Sequence, residues 1–134
     1  MGRKQAREGA MKLLFQMESN NDFSDDALNI YLDNFKHDEK ETEYIKEAVI
    51  TIRDNVDEID NNIILNLEGW SIHRLAKVDL SVLRLAIYEI LYRNDIPVEV
   101  SINEAIETVK KYSKEDSFKF INGVLGGFVR SLDK

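Results

Sequence analysis

Cysteine is absent from this sequence of 134 residues, and histidine occurs only twice. Without cysteine the chain has no disulfide, no thiolate ligand for a metal and no cysteine nucleophile. The histidines, His37 and His73, have no neighbours at the spacing of metal ligands. The sequence also lacks a glycine-rich phosphate loop after a strand and a nucleophile elbow. We therefore expect no metal, no cofactor and no enzymatic activity.

Long apolar runs are also missing. No stretch approaches the length that crosses a membrane, and the first residues lack the apolar core of a signal peptide. We therefore expect a cytoplasmic protein without a membrane partner. Hydrophobic residues make up 43% and charged residues 32%, which is typical of a folded chain. The length fits one domain over residues 1–134.

The net charge of −7 is unevenly distributed along the chain. Residues 1–17 carry a local charge of +3, residues 18–68 carry −11, and residues 69–134 carry +1. The acidic middle third is most simply a solvated helix face, because its carboxylates lack the spacing of a calcium loop. The ends of the chain are neutral to basic, so a polyanion remains a possible partner there.

The apolar spacing predicts an all-α bundle of about six or seven helices, because no segment alternates with a period of two. Ser24 is predicted to cap one helix, and Asp79 to cap the most apolar helix of the chain. That helix is apolar nearly all round, so we expect it at the centre of the core. Arg84 and Glu89 lie within it, and we interpret them as members of structural ion pairs.

The first helix, predicted over residues 3–18, has two distinct faces. The core face is followed by a neighbouring strip that combines two cations with Met11 and Phe15. Cations in the first turns oppose the helix dipole, and a bound anion would relieve this conflict. A solvated, frayed N-terminus explains the same pattern. The strip consists of Lys4, Arg7, Met11 and Phe15, and the core face of Ala6, Ala10, Leu13, Leu14 and Met17.

The stretch from Ser101 to Val129 is predicted to form two helices joined by a charged turn. Ser101 and Glu104 have the spacing of a capping box. In the second helix, Phe120 points away from the apolar face, on the side of glycines that leave the backbone bare. The ring is therefore either a platform for stacking and docking or part of a second internal interface.

Three segments of this chain are similar to a known family: AREGAMKLLFQME, WSIHRLAKVDLSVLRLAIYEILY and IPVEVSINEAIETVKKYSKEDSFKFINGVL. The INEAIE, EDS and KFINGVL elements, in this order and spacing, are the most specific. Over essentially its full length the chain resembles the NusB family of bacterial transcription antitermination factors. The resemblance implies an all-helical RNA-binding protein that pairs with NusE, a small-subunit ribosomal protein.

The resemblance further implies that this pair binds boxA-type RNA in nascent transcripts, notably ribosomal RNA leaders, and joins the elongating RNA polymerase complex with other Nus factors. The family's protein-partner surface falls on Phe15 and Asp79. Cations would attract phosphates, aromatic rings would stack on bases, and a carboxylate would accept hydrogen bonds from a base or a 2′-hydroxyl. The family's RNA-facing positions fall on Arg3, Lys4, Arg7, Tyr112, Asp116 and Phe120.

Two alternatives stay open, and the chain departs from the family pattern at two points. The chain could be an RNA-binding domain related to that of ribosomal RNA cytosine methyltransferases, although these enzymes need a nucleophilic cysteine. It could also be a helical adaptor that binds protein through its acidic third.

The N-terminus GRKQAR has fewer arginines than is common in the family, and Gly126 and Gly127 are expected to loosen the last helix.

Overall fold

Seven α-helices form the part of the chain that the computed structural model describes, residues 2–132. This confirms the predicted all-α class. A short 3₁₀ turn, Ile72–Arg74, lies between the fourth and fifth helices. The helices are α1 (Gly2–Asn20), α2 (Asp25–Asn34), α3 (Glu39–Asp54), α4 (Val56–Ile64), α5 (Lys77–Tyr92), α6 (Val98–Tyr112) and α7 (Ser117–Leu132).

Helix α5 lies at the centre of the bundle, as predicted. Every residue from Asp79 to Glu89 is buried, and the helix contacts α1, α3, α4, α6 and α7. A helix that is apolar nearly all round can satisfy its surface only by being surrounded. The predicted core face of α1 is also buried, from Ala6 to Met17. The apolar spacing therefore determines which helices are central and how they face each other.

Of the three predicted helix starts, one is correct and two are wrong. Ser24 caps α2, accepting a hydrogen bond from the Ala27 N–H at 3.1 Å. Helix α6 begins at Val98, directly after Pro97, so Ser101 lies inside the helix and forms no capping box. Helix α5 begins at Lys77, so Asp79 lies in its first turn and is not the cap. The polar side chains of these two residues form hydrogen bonds with other helices.

Buried ion pairs hold the helices in register. Arg84 donates to Asp60 of α4 at 2.9 and 2.8 Å and to Glu18 of α1 at 2.7 Å. Glu89, 1% exposed, pairs with Arg7 of α1, 2.8 Å from the guanidinium Nε. Buried charges are tolerated when hydrogen bonds satisfy them, and the described buried side chains include no polar atom without a partner. The structural interpretation of Arg84 and Glu89 is confirmed.

Helix α7 runs unbroken through its glycines, so the expected loosening at Gly126 and Gly127 is not observed. Gly127 faces Asn66, and a Cβ at this position would overlap the Asn66 side-chain oxygen. The glycine therefore permits a close approach between α7 and the segment that follows α4. Between residues 2 and 132 we find no helix that is both long and apolar enough to cross a membrane.

Candidate nucleic-acid interface

The N-terminal cations of α1 are placed in two different environments. Arg3 is exposed, 3.9 Å from Asp95 and with its guanidinium 5.3 Å from the centre of the Tyr44 ring. Lys4 is also exposed and lines a groove between α1 and α6. These two side chains present positive charge at the surface. They are therefore available to a phosphate without disrupting the core.

Arg7 does not share this exposure, and the predicted strip from Lys4 to Phe15 is wrong at its centre. Arg7 is only 8% exposed and Met11 only 2%, because both pack between α5 and α6. Burial lowers the pKa of the Arg7 guanidinium, but the hydrogen bond and charge of Glu89 outweigh it and raise that pKa above its ordinary value. Arg7 is thus a structural cation, and we leave it out of the candidate interface.

The outer face of α1 instead meets the end of α6. We call this the α1–α6 surface; its centre is Tyr112, whose hydroxyl donates to Glu8 at 3.2 Å. The ammonium groups of Lys12 and Lys111 each lie 5.2 Å from the centre of the Tyr112 ring. A base that stacked on Tyr112 would compete with these lysines. With Lys4 and Lys110, this surface carries four cations, of which only Lys4 belonged to the site predicted from the sequence.

Three acids, Glu8, Glu104 and Glu107, line the groove of the α1–α6 surface, and Glu8 is the one that pairs with Lys111. Its carboxylate accepts from the Lys111 ammonium at 2.9 Å as well as from Tyr112. Burial alone would raise the pKa of the Glu8 carboxyl, but these hydrogen bonds lower it below its ordinary value. The carboxylate is therefore charged at neutral pH, and it fixes the position of the lysine and the ring.

Asp79 is buried beneath the turn between α6 and α7. Its carboxylate accepts from the Ser113 hydroxyl at 2.7 Å and from the Ser117 hydroxyl at 3.2 Å. With 7% exposure it is not presented to a partner protein, so its expected partner contact is not supported. Phe15, in contrast, is 39% exposed and remains a candidate for such a contact. The structural role of Asp79 is to anchor the turn that carries Asp116.

Asp116 and Phe120 lie together on the far side of that turn. Both line a pocket with Trp70 and Arg74, which follow α4 in the chain. Phe120 is half-buried against the core. The ring is therefore partly an internal packing residue and partly available for stacking at the surface. Trp70 is 58% exposed, and the Arg74 guanidinium lies 5.5 Å from the centre of its ring. The Asp116 side chain is exposed and forms no hydrogen bond with any described residue.

Sequence reasoning missed Trp70, Arg74, Lys110 and Lys111 as members of a candidate interface. Trp70 and Arg74 stand four positions apart in the sequence, and a tryptophan with an arginine at this spacing is the signal that could have indicated them. Among residues 2–132 no cluster of histidine, aspartate and glutamate could hold a metal ion. What the geometry offers is aromatic rings, lysines and arginines at the surface. This combination is suited to binding a single-stranded nucleic acid.

Comparison with known proteins agrees with this chemistry. A model of the NusB family matches residues 4–130. The transcription antitermination protein NusB of Acetivibrio thermocellus is 46% identical over 130 residues, covering 97% of this chain and 90% of the relative. The structure of T. maritima NusB superposes with a TM-score of 0.88 at 40% identity, covering 97% of this chain and 92% of that chain.

A second solved structure contains the antitermination factors NusB and NusE in complex with double-stranded RNA. A chain of that complex matches with a TM-score of 0.86 at 29% identity, covering 96% of both chains. The family model, the relative and the two structures all agree over nearly the whole length of the sequence. The protein described here belongs to the NusB family.

Proposed function

We propose that this protein is a transcription antitermination factor that binds boxA-type RNA of nascent transcripts together with NusE. In this role it joins the elongating RNA polymerase complex, acts as one domain, and works by binding and not by catalysis. The observation that carries the proposal is family membership over residues 4–130. Because bacterial transcription takes place in the cytoplasm, we place the protein there.

The proposed RNA contacts divide between the two surfaces described above. Arg3 and Lys4 supply phosphate attraction, and Phe120 supplies a ring face for an unstacked base. Asp116 is exposed and has free acceptor oxygens for a base amino group or a 2′-hydroxyl. Phe15 is assigned to the NusE contact. The support for these assignments is exposure and chemistry, together with the family positions.

The charge balance supports a two-protein RNA reader. The chain carries a net charge of −7, and only Arg3 and Lys4 are assigned to phosphate contacts, with Arg3 lying 3.9 Å from Asp95. Each phosphate contact contributes modestly and is weakened by salt, so a small cationic patch gives weak binding alone. A partner that adds its own RNA contacts completes the site. We therefore expect tight binding only when NusE is present.

Fluorescence anisotropy with a labelled boxA-type RNA and a scrambled RNA of equal length tests this proposal. The titrations are run with and without NusE at several salt concentrations. We expect the boxA-type RNA to bind more tightly than the scrambled RNA when NusE is present. Equal affinities for the two RNAs under that condition would overturn the proposal.

Truncating Phe120 tests the site itself. Phe120→Ala is expected to weaken RNA binding by the stacking contribution of one base, about 1–3 kcal/mol. Because the ring is half-buried, its removal also costs roughly 1–2 kcal/mol of folding stability. The matched control is Phe35→Ala, directly after α2, which removes a ring that is 54% exposed and far from the site in the chain. Unchanged RNA affinity in Phe120→Ala would show that this ring serves only the core.

A further inference from the structure

A second groove extends from Phe120 along α7 and away from the turn. One wall is formed by Phe120, Gly123, Gly127 and Arg130, which lie on one face of α7. The opposite wall is the segment that follows α4, from Leu65 to Glu68, together with Trp70. Phe120 and Trp70 line both this groove and the pocket that contains Asp116. The two depressions are therefore continuous across these two rings.

The charges and surfaces of this α7 groove favour a nucleotide. Lys119 and Arg130 line it, while Glu68 is the only acid among its described lining residues. Trp70 is 58% exposed, so an accessible aromatic face stands at the groove's entrance. Aromatic faces combined with cations that track a backbone are the usual elements of single-strand binding.

Gly123 adds bare backbone to this surface. A Cβ built at Gly123 meets no atom within 4 Å, so the space beside it is open. A ribose or a base can therefore approach the helix more closely there than a side chain would allow. The excess of cations argues for an anionic occupant and not for an apolar peptide.

We infer that the α7 groove binds the nucleotide adjacent to the base that stacks on Phe120, so that the RNA continues along α7 towards Arg130. This inference rests on the proposed function and adds the direction and extent of the RNA path. In it, Trp70 stacks on the neighbouring base and Arg130 pairs with a phosphate. The occupant is single-stranded RNA.

The variant Gly123→Leu blocks the groove without disturbing the fold. The added side chain enters open space, and leucine is a better helix former than glycine, so we expect the melting temperature to be unchanged or higher. The matched control is Asn122→Leu, which adds the same side chain at an exposed position of α7 that does not line the groove. Arg130→Gln removes the groove's distal charge alone.

The experiment measures the affinity of each variant, in the presence of NusE, for RNAs shortened one nucleotide at a time from each end. For the unmodified protein we expect one shortening step to reduce affinity roughly 5- to 160-fold, the contribution of one stacked base. Gly123→Leu should bind the full-length RNA more weakly than the unmodified protein by the same factor. Removing that nucleotide from the RNA should then not weaken the binding of Gly123→Leu further. Asn122→Leu should behave like the unmodified protein, and Arg130→Gln should reduce the salt dependence.

Each contrary outcome has a distinct meaning. If the unmodified protein with NusE does not prefer the boxA-type RNA, the proposed function fails and the groove assignment fails with it. If that preference is present but Gly123→Leu binds every RNA like the unmodified protein, the groove assignment alone is overturned. It is likewise overturned if Gly123→Leu weakens NusE binding measured without RNA, because the groove then accommodates protein.

Discussion

The buried pair of Arg7 and Glu89 gives the sharpest prediction about which N-terminal cations contact RNA. Glu89 accepts from Arg7 at 2.8 and 3.2 Å, from the Ser101 hydroxyl at 2.7 Å and from the Tyr44 hydroxyl. With 1% exposure, it is shielded from water in the folded protein. Arg7→Met keeps most of the apolar stem but leaves this carboxylate without its counter-ion. Breaking a buried pair in this way costs about 3–5 kcal/mol.

The expected change in melting temperature follows from the length of the chain. At roughly 2.1 cal/mol/K of unfolding entropy per residue, 134 residues give about 0.28 kcal/mol/K. Arg7→Met should therefore melt about 10–18 °C lower than the unmodified protein, measured by circular dichroism. Removing both charges in Arg7→Met with Glu89→Met should recover part of the loss, because no unpaired charge remains buried.

The control is Lys4→Met on the same helix. Lys4 is exposed, so its replacement should change stability by less than about 0.5 kcal/mol. In RNA titrations at temperatures where both variants are folded, Lys4→Met should lower the salt slope by about 0.7, the value of one single-strand phosphate contact. Arg7→Met should leave that slope unchanged. If Arg7→Met melts like the unmodified protein and loses the salt slope instead, the structural assignment of Arg7 is refuted.

Two further predictions concern Asp79 and two tyrosines of α5. Asp79→Ala should destabilise the fold by about 1–3 kcal/mol in urea unfolding, because the hydroxyls of Ser113 and Ser117 lose their acceptor. Normal stability combined with weakened NusE binding would show instead that Asp79 contacts the partner protein. The pKa values of Tyr88 and Tyr92 are each raised to about 12, by burial in the first case and mainly by a hydrogen-bonded carboxylate in the second. Since unfolded tyrosine loses its proton near pH 10, the free energy of unfolding should fall between about pH 10 and pH 12. In an alkaline titration of the folded protein, the tyrosinate absorbance of these two residues should appear above pH 10. Titration of both residues near pH 10 would contradict this prediction.

Local pattern was sufficient to predict the helices and most of the core. The apolar spacing around Leu83 identified the central helix, and the serine at position 24 marked a helix start, since both signals depend on neighbouring residues alone. The assignments of Asp79 and Ser101 as helix-capping residues failed because both have the side chains of caps but bond to other helices. Ser101 donates to Glu89, and this contact becomes visible only after α5 and α6 are packed.

The candidate site was predicted only in part, because the positions of some of its residues depend on contacts between helices that are distant in the chain. The off-face position of Phe120 can be calculated from helical geometry, and the ring does lie at the surface of the groove with Trp70. The burial of Arg7 could not be calculated, because its partner Glu89 lies 82 positions away in the chain. A charged side chain near the start of a chain looks exposed until the helix that covers it is known.

The glycines of α7 make the proposed RNA surface depend on tertiary docking. Gly123, Gly126 and Gly127 each lower intrinsic helix stability by about 1 kcal/mol relative to alanine, so this segment has little tendency to be helical alone. The helix persists because its apolar face packs against α5 and α6. The rate of amide hydrogen exchange in α7 would thus measure the fraction of molecules in which the helix is docked against α5 and α6. RNA affinity should decline in proportion to the undocked fraction. In this way the chain links recognition of its ligand to the local folding equilibrium of one helix.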